Sequence, residues 1–206
     1  MRLFYAPNTI SIAAAITLHE AQLTYEPVLV DFRQGEQTAP AYLQINPKGR
    51  VPTLDTDGGL ITETGAILEY IAAIAPKAGL VPSDPVDAAH MRSVMFYLAS
   101  TMHVNHAHRV RGFRWADNAD SHKDMKSKVA DNMTENARHI QTHYLRGDYV
   151  LGDTLSLADP YLFVVCRWLE GDGVDLSALP AIDAYLTRMR GRASVQQAIA
   201  HLRLEG

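Results

Sequence analysis

The chain has little of what marks a secreted, membrane-embedded or nucleic-acid-binding protein. Cys166 is the one cysteine among 206 residues, so no internal disulfide can form and a reducing compartment, the cytoplasm, is expected. No apolar run approaches the roughly 20 residues that cross a bilayer. The N-terminus enters a strand pattern at once, without a charged-then-apolar leader. A formal net charge of -4 gives nucleic acid or an anionic membrane surface no electrostatic attraction.

What the chain does contain is 47% hydrophobic residues, enough for a buried core in one large or two small domains. Up to residue 75, short strand-like runs alternate with helical spacing. The predicted strands are 2–5, 26–31, 51–55 and 59–61, the last two around an Asp57-Gly58 turn, and the predicted helices are 11–21 and 64–75. This β-α-β, β-β-α order is typical of a thioredoxin-like domain.

After a proline-containing linker, the pattern is helical to the end of the chain. The clearest segments are 86–111, 121–145, 156–169 and 180–190. We therefore predict the α+β class: a thioredoxin-like α/β domain (1–76), a linker (77–85) and an all-α domain (86–206). Ser156 and Asp159 form a predicted capping pair with a role in folding, and Cys166 lies on an apolar helix as a buried, inert thiol.

Two short motifs predict a ligand site. Residues 46–52 read NPKGRVP, and the proline removes a ladder donor where a strand begins. A cis bond there would turn the backbone of Val51 outward, so that its N–H and C=O could pair with an extended ligand. Glu63 and Thr64 open a helix, where free N–H groups favour a carboxylate. Together these motifs indicate a small, anionic, peptide-like ligand.

With these motifs in order, the chain resembles the glutathione transferase family along its whole length, most closely the bacterial beta class. The resemblance implies that Val51-Pro52 is cis, that Val51 pairs with the cysteinyl part of glutathione, and that Glu63-Thr64 holds the γ-glutamyl end. It also implies a detoxifying transferase with glutathione as co-substrate and no metal. A small electrophile and a second copy of the chain, in a homodimer, are the expected partners.

Glutathione transfer needs a thiolate, which a nearby donor at a helix N-terminus would stabilise. The beta class has a cysteine at the position of Ile10, and isoleucine can neither donate a hydrogen bond nor form a mixed disulfide. The expected donor is Thr9 or Ser11, with Tyr5 and His103 as further candidates. The structural alternatives are a turn residue for Thr9, a helix cap for Ser11, core packing for Tyr5 and a hydrogen-bonded core residue for His103.

The glycyl carboxylate of glutathione needs a cation. Arg50 is the preferred candidate and Arg33 the second, because arginine can bind a carboxylate with two hydrogen bonds. Lys48 is expected to face solvent. The alternative role for both arginines is an ordinary surface charge.

In the helical half, His103 matches an active-site histidine of the beta class, whereas Phe96 replaces an asparagine that binds the ligand. A basic and aromatic run follows, from which the predicted substrate-pocket residues are His106, Arg109 and Phe113, with Arg111, Arg114 and Trp115 nearby. An ordinary amphipathic helix end is the alternative, and no third ligand at convincing spacing supports a metal.

Three functions are consistent with these residues. Conjugation of glutathione to an electrophile is the first. A glutathione-dependent peroxidase, dehalogenase or isomerase keeps the ligand but changes the chemistry. A non-catalytic module would use the fold for storage or assembly, and an unshifted pKa of the bound thiol would distinguish it from the enzymes.

Overall fold

A four-stranded mixed sheet organises the first part of the chain in the computed structural model, which describes residues 1–202. The strands are β1 (Arg2–Tyr5), β2 (Glu26–Leu29), β3 (Thr53–Thr56) and β4 (Gly59–Thr62), in the order β2-β1-β3-β4. β1 runs parallel to β2 and antiparallel to β3, and β3 pairs with β4 around the predicted Asp57-Gly58 turn. The predicted strands are confirmed, with boundaries that shift by one to two residues.

Four helices belong with this sheet: α1 (Ser11–Glu20), α2 (Pro40–Ile45), α3 (Thr64–Ile74) and α10 (Ala193–His201). α1 is buried from Ser11 to Leu18, and α3 buries Ile67, Leu68 and Ile71. Ile74, the last residue of α3, is 44% exposed, and Pro76 follows the end of the helix. α2 was not predicted from the sequence, and α10 lies in the stretch predicted to be helical but was not named as a separate segment.

The described chain divides into two compact units. Among the described residues, the thioredoxin-like unit comprises Met1–Pro82 and residues 190–202, and the helical unit comprises Ser83–Met189. The predicted helical domain ran to residue 206, whereas α10 packs against α1. Arg192 binds the Glu20 carboxylate with two hydrogen bonds of 2.8 and 3.0 Å, which joins the start of α10 to the end of α1.

The helical unit contains α4 (Pro85–Tyr97), α5 (His103–Arg111), α6 (Ala119–Ser127), α7 (Val129–His139), α8 (Ala158–Cys166) and α9 (Pro180–Arg190). A π-helical turn, Leu98–Met102, joins α4 to α5, as the continuous helical pattern predicted. Every residue of α8 is buried, which confirms the expected burial of Cys166, and this burial raises the pKa of its thiol to about 12. No helix within residues 1–202 is both long and apolar enough to cross a membrane.

A buried carboxylate secures the start of α8. Asp159 accepts hydrogen bonds from the N–H groups of Val150 (2.9 Å) and Ser156 (2.7 Å) and from the Ser156 hydroxyl (3.0 Å). The predicted pairing of Ser156 with Asp159 is therefore present, with the carboxylate as the acceptor and Leu157 preceding the helix. Because Asp159 is completely buried and satisfies donors from a loop and a helix start, it serves the fold of this unit.

Candidate functional site

The chain turns sharply at Val51-Pro52, which is a cis peptide bond as the family resemblance implied. The preceding carbonyl, that of Arg50, accepts hydrogen bonds from the Tyr42 hydroxyl at 2.7 Å and from Asn46 Nδ2 at 2.8 Å. Burial raises the pKa of Tyr42, so its hydroxyl stays a donor at neutral pH. Within residues 1–202, neither the N–H nor the C=O of Val51 has a backbone partner. Both groups are available to an extended ligand.

Gly49 lets the loop reach this turn. Its φ is 60°, and a Cβ atom on it would lie 2.8 Å from the carbonyl oxygen of Gln37. An L-residue would meet both a disfavoured backbone conformation and a clash with main chain. The loop before the cis bond therefore depends on glycine at this position.

The start of α3 has the features of an anion site. Glu63, immediately before the helix, has φ 73°, an uncommon value for a non-glycine residue. No side chain caps the helix, which leaves its first-turn N–H groups without that usual partner. The Thr64 hydroxyl, in a residue only 7% exposed, has no hydrogen-bond partner in the described part of the chain. Strained backbone and unsatisfied donors together are typical of a ligand site.

Lys48 connects the two motifs. It is exposed, as expected, but its ammonium group binds the Glu63 carboxylate and also donates to the Thr62 hydroxyl at 2.7 Å. The two arginines proposed for the glycyl carboxylate, Arg33 and Arg50, are exposed and make no ion pair with any described residue. Their guanidinium groups are free to bind a carboxylate.

Thr9 and Ser11 share one hydrogen-bond network in the loop after β1. Their hydroxyl oxygens are 2.7 Å apart, and each can donate to the carbonyl of Ala6, at 2.8 Å from Thr9 and 3.2 Å from Ser11. Ser11 is completely buried, whereas Thr9 is partly exposed. Ser11 is the first residue of α1 and its side chain does not cap the helix, since it binds Ala6 instead.

Tyr5 lies in the core at the end of β1. Its hydroxyl donates to the carbonyl of Leu202 at 2.9 Å, and the residue is only 7% exposed. The phenol thus fastens the end of α10 to the sheet. Ile10, which replaces the family's cysteine, is also buried.

Sheet topology brings four predicted segments to one edge of the sheet, the one at which β1, β2 and β4 end and β3 begins. β1 is antiparallel to β3, so the loop after β1, with Thr9, lies beside the start of β3, with Val51-Pro52. The pairing of Thr53 with Thr62 places the end of β4, and hence Glu63 and Thr64, next to the same point. β2 runs parallel to β1, so the loop with Arg33 leaves the sheet at this edge as well.

In the helical unit, the structure brings together His103 and His106 of the predicted residues with two that sequence reasoning missed, Trp168 and Asp172. The His106 ring stacks on Trp168 with centroids 4.2 Å apart, and His103 tilts against the same indole at 5.0 Å. The Nδ1 atom of His106 lies 2.7 Å from the Asp172 carboxylate. Asp172 is 66 residues away in sequence and has no local pattern that would connect it to α5.

Arg109 joins this cluster, with Nε 3.3 Å from Asp172 Oδ1 and a hydrogen bond from Nη1 to the carbonyl of Gly171. Phe113, the third predicted pocket residue, is 65% exposed, and Phe96 is 70% exposed. Among the described residues, no group of three or more histidine, cysteine, aspartate or glutamate side chains is placed to hold a metal ion.

Family models match both halves of the chain. Residues 1–73 match the glutathione S-transferase N-terminal domain and residues 93–193 match the glutathione S-transferase C-terminal domain. Glutathione S-transferase GST-4.5 of Xanthomonas campestris pv. campestris is 33% identical over 204 residues, covering 97% of both chains.

Two solved structures extend the comparison. A glutathione transferase homolog from Sulfitobacter, crystallised with bound glutathione, is 56% identical, has a TM-score of 0.95 and covers 97% of this chain and 96% of its own. The beta class glutathione S-transferase of Sphingomonas chungbukensis is 30% identical, with a TM-score of 0.85 over the full length of both chains. The chain therefore belongs to the glutathione S-transferase family, and the predicted fold class and resemblance are confirmed.

Proposed function

We propose that this protein is a glutathione transferase that binds glutathione at the sheet edge of its thioredoxin-like unit and directs the thiolate onto a small electrophile. The observation that carries the proposal is the convergence of Thr9, Val51 and Thr64 at that edge. Each of these residues has polar groups that are unpaired or can change hydrogen-bond partner, and each would bind a different part of one extended tripeptide. The Sulfitobacter homolog, crystallised with bound glutathione, supports this ligand.

The backbone of Val51 would pair with the cysteinyl residue of glutathione, because its N–H and C=O are unpaired and lie at the start of β3. The γ-glutamyl carboxylate would accept hydrogen bonds from the Thr64 hydroxyl and the first-turn N–H groups of α3, with the helix dipole adding to the attraction. Glu63 would bind the γ-glutamyl amino group. Arg50, with Arg33 as the second candidate, would bind the glycyl carboxylate.

Thr9 is the donor that we assign to the thiolate. The Thr9 and Ser11 hydroxyls each have one proton to donate, and each proton can point either at the Ala6 carbonyl or at the other hydroxyl oxygen. The hydrogen bonds of this network can therefore be arranged in more than one way. When Ser11 donates to Ala6, the proton of Thr9 is free for an outside acceptor. Ser11 is fully buried and Tyr5 donates to Leu202, so Thr9 is the better placed of the three. A hydrogen bond to the charged sulfur favours the thiolate and lowers the pKa of the thiol.

The helical unit supplies the substrate residues in this proposal. His103, His106 and Arg109 lie on α5, and the run from His103 to Arg114 contains three arginines, three histidines and no acidic residue. We also propose a homodimer that works in the cytoplasm and detoxifies electrophiles, with the buried, reduced Cys166 in keeping with that compartment.

An ultraviolet titration of glutathione bound to the purified protein tests the proposal. A thiol pKa clearly below the ordinary value of about 8.5 establishes an activating site. Binding with an unshifted pKa favours the storage or assembly module, and an absence of binding contradicts the proposed function. Turnover of peroxide, halogenated and cis-alkene substrates in parallel with conjugation would separate the peroxidase, dehalogenase and isomerase alternatives.

A further inference from the structure

The end of α7 carries two histidines where the helix changes type. α7 ends at His139 and continues as a π-helical turn, Ile140–Tyr144. Such turns are rare and often mark functional sites. The turn contains His143, four residues beyond His139, so both side chains lie on the same face of the helix. This is also the spacing at which helices of zinc enzymes present two histidines to a metal ion.

The two imidazole rings are in direct contact. Their centroids are 4.8 Å apart, with an interplanar angle of 49°. When two histidines share one cation, with metal–nitrogen bonds of about 2.0–2.1 Å and a bond angle of roughly 90–110°, their ring centroids lie about 4.5–5.3 Å apart. The observed separation falls within this range. Rotation of the two side chains is therefore enough to aim one nitrogen of each ring at a shared ion.

The nitrogens of both rings are open to an external ligand. Within residues 1–202, neither His139 nor His143 makes a hydrogen bond or an ion pair. His143 is exposed and His139 is partly exposed, so a cation can reach them from solvent. A second pair of contacting rings, His19 and His201, is different. Its centroids are 5.6 Å apart, and Nε2 of His19 lies 3.4 Å from the Tyr25 hydroxyl.

Aromatic side chains hold His139 in place. The ring centroids of Tyr97 and Tyr144 lie 5.1 and 5.0 Å from that of His139. Tyr97 is itself anchored, because its hydroxyl donates to Oδ1 of Asn136 at 2.9 Å, and Asn136 is only 7% exposed. Burial raises the pKa of Tyr97, so the phenol remains a donor at neutral pH. His139 is therefore ordered before any ligand binds, which lowers the cost of binding.

We propose that His139 and His143 form a binding site for one divalent transition-metal cation, Cu²⁺, Ni²⁺ or Zn²⁺, with water as the remaining ligands. Imidazole nitrogen suits these cations, and Cu²⁺ generally binds more tightly than the other two. A site with two protein ligands is consistent with the described residues, which contain no larger group of side chains placed to hold a metal ion. The bound ion would connect the end of α7 to the π-helical turn and stabilise the helical unit. The site does not depend on the proposed glutathione transfer.

Calorimetric titration of the full chain with CuCl₂, in the absence of glutathione, tests the site. His139→Gln and His143→Gln should each lower the affinity of the tightest site by about 10-fold or more, since even a change outside the metal ligands costs roughly 10–100-fold. The double variant should lose little more than either single variant, because one ion needs both rings. His122→Gln is the matched control. Nε2 of His122 bonds to the carbonyl of Ala116, so this variant should keep the wild-type affinity.

Unchanged Cu²⁺ affinity in either single variant would overturn the proposal. So would a wild type that binds Cu²⁺ no more tightly than the double variant does. MgCl₂ serves as the second control, because Mg²⁺ takes oxygen ligands and should not bind to two imidazoles. Urea unfolding with and without ZnCl₂ measures the stabilisation, since a cation that binds the folded state shifts the unfolding equilibrium. Zn²⁺ should raise the midpoint of the wild type more than that of the double variant, and equal shifts would contradict the site.

NMR of the histidine rings gives a readout on the wild type alone, which does not depend on the folding of any variant. Cu²⁺ is paramagnetic and broadens the signals of the nuclei closest to it. At a small fraction of one equivalent, CuCl₂ should broaden the ring signals of His139 and His143 before those of the other histidines. If the signals of His19 and His201 broaden first, or all nine histidines broaden together, the proposed site is wrong.

Discussion

The ammonium group of Lys48 binds the carboxylate of Glu63 and thereby joins the loop before the cis bond to the start of α3. The pair is exposed, with 41% of the Lys48 side chain and 64% of the Glu63 side chain accessible. Lys48 also holds the Thr62 hydroxyl at 2.7 Å. In the proposed site, the two motifs that bind opposite ends of the ligand are thus in electrostatic contact before any ligand arrives.

Removing Lys48 should weaken glutathione binding a few-fold, because Glu63, which binds the γ-glutamyl amino group in the proposed site, would lose the contact that holds it to the loop before the cis bond. An exposed ion pair contributes only about 0.2–1 kcal/mol, so Lys48→Met should barely change the free energy of unfolding. A double-mutant cycle of Lys48→Met with Glu63→Gln, measured by calorimetry, should show coupling between the two substitutions. Strictly additive effects on the affinity would contradict this account.

Thr64→Val should lower the affinity for glutathione by roughly 10-fold or more, since a hydrogen bond to a charged group is worth about 1.5–3 kcal/mol. The substitution keeps the shape of the side chain and removes only the hydroxyl. Thr56→Val removes the same group from the β3–β4 hairpin, where it bonds to Gly59, and should leave the affinity unchanged. Equal affinities for both variants would rule out the proposed γ-glutamyl site.

Thr9→Val should raise the pKa of the bound thiol toward its ordinary value of about 8.5, because the sulfur loses its donor. Thr9→Ser should retain the lowered pKa. Ser11→Ala should mainly cost stability, about 1–3 kcal/mol, because the buried Ala6 N–H loses its partner. An ultraviolet titration of each complex, with urea unfolding alongside, separates the two roles. A larger change in the thiol pKa in Ser11→Ala than in Thr9→Val would instead make Ser11 the donor to the sulfur and give Thr9 the structural role.

Asp159→Ala should destabilise the protein by about 3 kcal/mol or more, because three buried donors lose their acceptor and each costs about 1–3 kcal/mol. Urea denaturation measures the loss. Asp175 makes similar hydrogen bonds to Ser177 on the surface, so Asp175→Ala should cost much less stability than Asp159→Ala. If Asp159→Ala were as mild as its surface counterpart, the carboxylate would not be the anchor of α8.

His19 should make the protein less stable in mild acid. Burial, together with the charge of His201, lowers the pKa of His19 below its ordinary value of about 6.5, so the unfolded chain binds this proton more readily than the folded one. Stability is therefore intact above about pH 6.5 and falls as the pH drops through and below that value. His19→Gln should reduce the loss in unfolding free energy between pH 7.5 and 5.5. An identical loss in the variant would show that other groups cause it.

Much of the fold could be predicted because its signals are local. The strands of the sheet, the Asp57-Gly58 turn and the helical spacing of α1 and α3 are each encoded in a few neighbouring residues. So are the motifs at Val51-Pro52 and Glu63-Thr64, whose chemistry follows from the residue types themselves. α2 was missed because it has only six residues, too few for periodicity to show. α10 was not recognised as a separate helix. Its place beside α1 depends on the contact between Glu20 and Arg192, which are 172 residues apart in the sequence.

By itself, the sequence determined the class of fold, the order of most of its elements and the residue types that we propose bind a peptide-like anion. Tertiary structure decided which of them act together: that Lys48 binds Glu63, that Ser11 is buried while Thr9 stays accessible, and that Asp172 orients His106. The physical reason is that periodicity and turn chemistry act over a few residues. Hydrogen bonds, burial and ion pairs depend instead on distances that exist only once remote segments have packed.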